Sequence, residues 1–170
     1  MWDNYAYFIK AVIPYAEKHG IQLALHPDDP PMNLGNVARI MTNYDNINHA
    51  IRGIVQSDNL GITMCQATYH SMGEDLYQII PKLADKIFFI HFRNTKGTIS
   101  DYRETFHDNG EISMAEIMRL YQQCGIRVPV RVDHVPTMLG ESTVNQGYDA
   151  QGRLYAIGYL KGILEANEIV

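Results

Sequence analysis

Four side chains that can bind a metal ion each stand at the end of a short apolar run of this sequence. They are His26, Cys65, His91 and Asp133. Two imidazoles, a thiolate and a carboxylate form a donor set that suits a divalent transition metal such as manganese, iron or zinc. A single histidine or cysteine in such a place is usually structural. Four in the same position of successive runs predict one shared metal site.

The alternation of side chains along a strand supports this interpretation. In each predicted strand, one face is more apolar and is expected to pack against the helices, and the potential ligand lies on the other face. In the third run, the alternation predicts that Phe88 and Ile90 face the helices, whereas Ile87 and Phe89 share a face with His91. Parallel α/β folds place their sites at the carboxyl ends of the strands. The four side chains are therefore expected at one edge of a parallel sheet.

Other polar residues lie beside these positions. Asp28 belongs to the stiff acidic segment HPDDPP, which is either a site loop or a proline-rich turn. Arg93 and Asn94 follow His91 closely, and a guanidinium there could bind a substrate carboxylate or form a surface salt bridge. His134 could transfer protons, because imidazole titrates near neutrality. Glu104 and His107, in the long loop after the third run, are left open.

The elements that must position these residues alternate along the chain, which is typical of βα units. Helices are predicted between the strands and at both ends, with a kink or a late start at Pro14 in the first. The predicted strands are Ile21–His26, Leu60–Cys65, Ile87–Arg93 and Val128–Asp133, and the predicted helices are Asp3–His19, Asp45–Val55, Glu74–Leu83, Ser113–Cys124 and Arg153–Ala166. This order favours a parallel sheet covered by helices.

Length and composition limit the classes of protein that remain. The chain of 170 residues, 46% hydrophobic and 19% charged, is expected to form a single domain over residues 1–170. A net charge of −5 argues against binding of nucleic acid or an anionic membrane, and no apolar run is long enough to span a bilayer. Two cysteines and the lack of a secretory leader lead us to expect a cytoplasmic protein.

In combination, several motifs make the sequence similar to a known family. They are LHPDDPP at Leu25–Pro31, the strand-end Cys65, IHFRN at Ile90–Asn94, RVDH at Arg131–His134, the pair Gly147-Tyr148 and the closing helix from Gly152 to Gly162. The chain resembles the mannonate dehydratases, metal-dependent lyases of the xylose-isomerase-like TIM-barrel group. A complete (β/α)8 barrel takes about 250 residues. The resemblance therefore covers about four βα units, a half barrel that matches the C-terminal half of the family.

The resemblance implies a function and assigns residues to it. It implies dehydration of D-mannonate to 2-keto-3-deoxy-D-gluconate in glucuronate catabolism, with manganese as the usual metal and iron as the other candidate. It carries the metal ligands onto the same four strand-end residues and the proton-transfer pair onto His134 and Tyr148. Arg93, Asn94 and Asp28 are then expected to bind the substrate.

Two alternatives stay open at this stage. The chain could be an isomerase or epimerase of the same barrel group, which also uses a metal and an acidic α-proton. It could instead be a non-catalytic fragment, or a subunit that needs a separate N-terminal half. Since four parallel strands cannot close a barrel, we expect the chain to form a homo-oligomer or to pair with that complementary half.

Overall fold

Four parallel strands form the sheet of the computed structural model, which describes residues 1–142, 144 and 146–169. Their spatial order is β1-β2-β3-β6. A separate antiparallel hairpin, β4 and β5, lies between β3 and β6 in the chain. The strands are β1 (Leu23–Leu25), β2 (Leu60–Cys65), β3 (Ile87–Phe92), β4 (Thr95–Thr98), β5 (Asp101–Glu104) and β6 (Val130–Val132). The parallel sheet agrees with the sequence prediction, whereas the hairpin was not predicted.

Within the residues that the structure describes, six α-helices accompany the strands. They are α1 (Trp2–His19), α2 (Tyr44–Asn48), α3 (Gln66–Ser71), α4 (Leu76–Leu83), α5 (Met114–Gln123) and α6 (Ala150–Ala166). A π-helical turn, His49–Gly53, extends α2, and a 3-10 turn, Ala84–Lys86, follows α4. The expected late start of α1 is wrong, because the helix begins at Trp2 and includes Pro14. It ends at Gly20, whose φ of +62° suits a residue without a side chain.

One irregularity in the sheet changes which side chains face the helices. Ile62 of β2 pairs with Ile87, but Thr63 pairs with Phe89, so Phe88 is an extra residue in β3. Ile87 is therefore turned into the core and is 2% exposed. Phe88 covers Gly61 instead, where a Cβ atom would lie 2.5 Å from its ring. The predicted faces of Ile87 and Phe88 are thus wrong, because a bulge reverses the alternation.

Beyond the bulge the alternation holds. Phe89 and His91 share a face, with ring centroids 5.5 Å apart, and Ile90 is buried on the other. That other face of the sheet packs against the helices in one continuous hydrophobic cluster, whose members include Ile13, Ile47, Met64, Ile80, Ile90, Phe92, Ile117 and Leu160. The core therefore holds the carboxyl ends of the strands in a fixed register. Among the described residues, no helix is both long and apolar enough to cross a membrane.

Candidate metal centre and proton-transfer site

Three of the four predicted ligands meet at the carboxyl ends of β1, β2 and β3. His26 follows β1, Cys65 ends β2, and His91 lies beside Cys65 in the register of β2 and β3. One nitrogen or sulfur atom from each of the three lies within 4.8 Å of the others. The short parallel strands produce this arrangement, because each delivers its last inward side chain to the same edge.

The fourth predicted ligand is next to this group. Asp133 directly follows β6, and its Oδ2 is 3.5 Å from Nδ1 of His91. That Nδ1 is in turn 3.2 Å from Nε2 of His26. Two ligand atoms that are each about 2.1 Å from one ion lie roughly 3 to 3.5 Å apart, so these separations fit a shared cation. Asp133 is 3% exposed, as a ligand shielded from bulk water would be.

Neighbouring groups orient two of these ligands. Nδ1 of His26 is 2.6 Å from the carbonyl oxygen of Pro27. If Nδ1 carries the proton and donates it there, the lone pair of Nε2 is left for the cluster. The hydroxyl of Thr68 donates to Sγ of Cys65 at 3.0 Å, and Nη1 of Arg93 lies 3.8 Å from the same sulfur. These two contacts hold the sulfur in place beside the other candidate ligands.

Arg93 lies next to the candidate ligand Cys65 and is 1% exposed. Its Nη1 donates to Oδ2 of Asp29 at 2.5 Å and its Nε to Oε2 of Glu104 at 3.1 Å, while Nη2 also bonds Glu104. Burial alone would lower the pKa of Arg93, but Glu104, Cys65 and Asp29 together raise it. A substrate carboxylate could reach this guanidinium only by displacing Asp29 or Glu104. Direct substrate binding by Arg93 stays a prediction, and it requires this displacement.

The other two predicted substrate-binding residues build loops. The carboxylate of Asp28 accepts hydrogen bonds from Arg39 and from the backbone of Ile40 and Met41. Asn94 donates to the carbonyl oxygens of His107 and Ile112, and it is 1% exposed. Both side chains use their polar atoms to hold the chain around the site. Their expected contact with substrate stays a prediction.

The predicted proton-transfer pair is joined by a hydrogen bond. Nε2 of His134 is 2.6 Å from the hydroxyl of Tyr148, and Nδ1 of His134 is 3.1 Å from Oε1 of Glu104. Burial and then the charge of Asp133 raise the pKa of Tyr148, so the phenol keeps its proton near neutral pH. Since His134 directly follows Asp133, the pair lies beside the candidate metal ligands.

Sequence reasoning gave no role to two carboxylates that the structure places on Arg93. Asp29 contacts both Arg93 and the hydroxyl of Tyr102, which is 3.4 Å from its Oδ1. Glu104 reaches the site because the β4–β5 hairpin folds its base against the end of β3. The segment HPDDPP indicated Asp29 and Asp28 equally. For Glu104, its place in the long polar loop after the third run left its role open.

The fold and this site define a class of protein. Parallel βα units with side-chain donors at the carboxyl ends of the strands are one half of a (β/α)8 barrel with its site in the usual place. The mannonate dehydratase structure from Streptococcus suis serotype 2 covers 98% of the chain with a TM-score of 0.90 and 32% identity. A D-tagatose 3-epimerase-like protein matches 98% of the chain with a TM-score of 0.71 and 18% identity. The predicted half-barrel fold is confirmed.

The sequence comparisons identify the family. The family model described as D-mannonate dehydratase (UxuA) matches residues 1–170, and a mannonate dehydratase of Streptococcus agalactiae serotype III is 35% identical over 98% of the chain. This chain belongs to the D-mannonate dehydratase family, as its motifs predicted. It spans 49% of the length of the Streptococcus agalactiae protein and also 49% of the Streptococcus suis structure.

Proposed function

We propose that this chain provides the metal centre and the proton-transfer pair for the dehydration of D-mannonate to 2-keto-3-deoxy-D-gluconate. The observation that carries the proposal is the arrangement of two chemical groups side by side. Three potential metal ligands converge at the strand ends, and a hydrogen-bonded histidine and tyrosine lie next to the fourth. Membership of the family supports the choice of reaction, and this geometry supports the choice of residues.

The metal ligands in this proposal are His26, Cys65, His91 and Asp133. Their nitrogen, sulfur and carboxylate donors fit a divalent transition metal. The resemblance to the mannonate dehydratases adds manganese as the first choice and iron as the second. These four residues would hold the cation, which would supply Lewis acidity that makes the C2 proton of the substrate more acidic. The low exposure of Cys65 and Asp133 keeps water away from this part of the site.

Proton transfer is assigned to His134 and Tyr148. One of the two takes the proton from C2, and the other protonates the C3 hydroxyl, which leaves as water. The electron pair of the broken C2–H bond forms a C2=C3 double bond, and the resulting enol then becomes the keto acid. The two groups are 2.6 Å apart, so a proton can also pass directly between them.

Binding of the anionic substrate needs a cation that is more accessible than Arg93. The guanidinium of Arg131 is partly exposed and lies 5.8 Å from the centre of the Tyr148 ring. That of Arg153 lies at the same distance from this ring. We assign the carboxylate contact to Arg131, because it is on β6 and its side chain extends beside Asp133. In this assignment, Arg93, Asp28 and Asn94 form the walls of the substrate-binding site.

Product analysis tests the proposal. The purified chain, loaded with Mn²⁺ or Fe²⁺, is incubated with D-mannonate, alone and together with a separately produced N-terminal half of a related enzyme. Formation of a keto acid that has lost one water is the expected result in at least one of the two mixtures. A product with the mass of the substrate would indicate an isomerase or epimerase instead. No conversion in either mixture would contradict the proposal.

A further inference from the structure

We propose that Glu104 is a positioning residue that fixes the tautomer of His134. The catalytic meaning of this inference depends on the function proposed above, but the tautomer itself does not. Oε1 of Glu104 is 3.1 Å from Nδ1 of His134, and the hydroxyl of Tyr148 is 2.6 Å from Nε2 on the other side of the ring. The imidazole therefore lies between a carboxylate and a phenol.

The chemistry of these two neighbours determines where the imidazole proton sits. An ionised carboxylate only accepts hydrogen bonds, so Nδ1 of His134 must be the donor. In the neutral ring, Nε2 then carries the lone pair and accepts the proton of the Tyr148 hydroxyl. Burial would raise the pKa of Glu104, but hydrogen bonds from His134 and Arg93 lower it overall, which keeps the carboxylate ionised.

The fold holds Glu104 firmly in this place. Arg93 donates to both carboxylate oxygens of Glu104, and it is itself held by Asp29. At the base of the hairpin, Glu104 pairs with the buried Thr95. A bidentate arginine contact also restricts the direction in which a carboxylate can point. The remaining lone pair of Oε1 is therefore directed at His134.

The consequence is a defined order of proton donors. Arg93 donates to Glu104, Nδ1 of His134 donates to the same carboxylate, and the hydroxyl of Tyr148 donates to Nε2 of His134. A free neutral imidazole prefers the proton on Nε2, and in that tautomer the ring donates to the Tyr148 hydroxyl and can no longer accept its proton. Loss of Glu104 should therefore lower kcat on the order of 10- to 100-fold, the usual range for a partner that orients an imidazole. KM should change less, because Glu104 is not expected to contact substrate.

Nitrogen-15 NMR of the metal-free chain measures the tautomer directly, with the imidazoles in their neutral form. The signal of His134 is assigned from its loss in the variant His134→Gln. In the unmodified chain we expect the proton on Nδ1, and in Glu104→Ala we expect a shift toward the Nε2 tautomer. Glu111→Ala is the matched control, because Glu111 is an exposed carboxylate that contacts Nε2 of His70 at 3.3 Å. It should leave the His134 signal unchanged.

The unmodified chain alone can overturn the inference, even if Glu104→Ala does not fold. A proton on Nε2 of His134 in that chain would contradict it, and so would an identical tautomer in a folded Glu104→Ala chain. These readouts need no substrate and no turnover. If the proton is on Nδ1 of His134 but no dehydration is found, the proposed function is contradicted. If dehydration is found but the proton is on Nε2, the role of Glu104 is contradicted.

Discussion

Arg93 shows how a single buried charge can connect the two chemical parts of this site. Its Nη1 contacts both the sulfur of Cys65 and the carboxylate of Asp29, and its Nε and Nη2 contact the carboxylate of Glu104. A buried cation is stable only when it is paired and hydrogen-bonded. The surrounding acceptors satisfy that condition, so Arg93 orders both the ligand and the carboxylate that contacts His134.

Separate roles for the metal ligands and the proton-transfer pair lead to a prediction about two variants. His134→Gln and Tyr148→Phe should leave metal content unchanged, because neither side chain belongs to the proposed ligand set. Turnover of D-mannonate should fall by about 10² or more, as expected for loss of general acid–base catalysis. Metal analysis and initial rates on the same preparations provide the check. Rates close to those of the unmodified chain in both variants would remove the pair from the mechanism.

The residue types and their spacing were enough to predict which side chains gather at the strand ends, but not which loop residues join them. Asp28 and Asp29 are identical neighbours in the sequence. In the structure, Asp28 binds backbone of its own loop, whereas Asp29 binds Arg93. The path of the loop decides between them, and that path depends on contacts that are distant along the chain. The burial of Arg93 could not be predicted for the same reason.

At the scale of secondary structure, the segment after β5 is held to the sheet by a buried histidine. His107 is fully buried, its Nε2 is 2.6 Å from the carbonyl oxygen of Phe92, and its ring stacks on that of Phe92 at 5.2 Å. The same carbonyl oxygen accepts from the backbone of Asp133. His107 thus helps to fix the junction of β3 and the residue that follows β6.

The burial of His107 predicts a pH dependence of stability. Burial lowers the pKa of His107, although the bond to Phe92 and nearby carboxylates partly oppose this effect. The unfolded chain therefore binds a proton more readily, so the stability contributed by neutral His107 is present above pH about 6.5 and is lost as the pH falls through the folded pKa. One group can contribute at most about 1.4 kcal/mol per pH unit to this slope.

Chemical denaturation between pH 7 and pH 5 tests this expectation. The variant His107→Gln keeps a donor for Phe92 but cannot ionise, so its free energy of unfolding should fall less steeply with acid. His19→Gln, at an exposed position, serves as the matched control and should follow the unmodified chain. Equal slopes for His107→Gln and the unmodified chain would show that His107 does not carry this dependence.

The strand pattern illustrates where element-level prediction from sequence stops. Alternation placed His91, Phe89 and Ile90 on their observed faces, because those residues follow a regular ladder. It failed at Ile87 and Phe88, where the bulge inserts one residue. Gly61 was the one sequence feature that pointed to the bulge, since only glycine leaves room for the ring of Phe88. The hairpin was missed because its two strands, TKGT and DYRE, are mostly polar and contain no apolar run.

For the molecule as a whole, the two edges of the sheet and the helices beside them present apolar surface. Leu154 and Ile157 of α6 are 69% and 44% exposed, and they border a groove along β6. At the opposite edge, Phe8 of α1 is 58% exposed. A parallel sheet is normally covered on both faces, yet the face that carries Phe88 and Phe89 is covered only in part.

This exposure leads us to predict that the chain self-associates or binds a complementary half barrel, and that catalysis requires the partner. Sedimentation at micromolar concentration should show species larger than 19.4 kDa, or a complex once an N-terminal half is added. Leu154→Glu should weaken association, whereas Leu139→Glu, at a fully exposed loop position, is the control. A monodisperse monomer that dehydrates D-mannonate at enzyme-like rates would contradict this prediction.

The central claim is that His26, Cys65, His91 and Asp133 together hold one divalent metal ion. X-ray absorption spectroscopy of the manganese-loaded chain tests it most directly, because the method distinguishes sulfur from nitrogen and oxygen neighbours of the metal. We predict one sulfur neighbour together with nitrogen and oxygen neighbours in the unmodified chain, and loss of the sulfur signal in Cys65→Ser. A metal environment that contains only light atoms, and that is the same in both chains, would contradict the proposed centre.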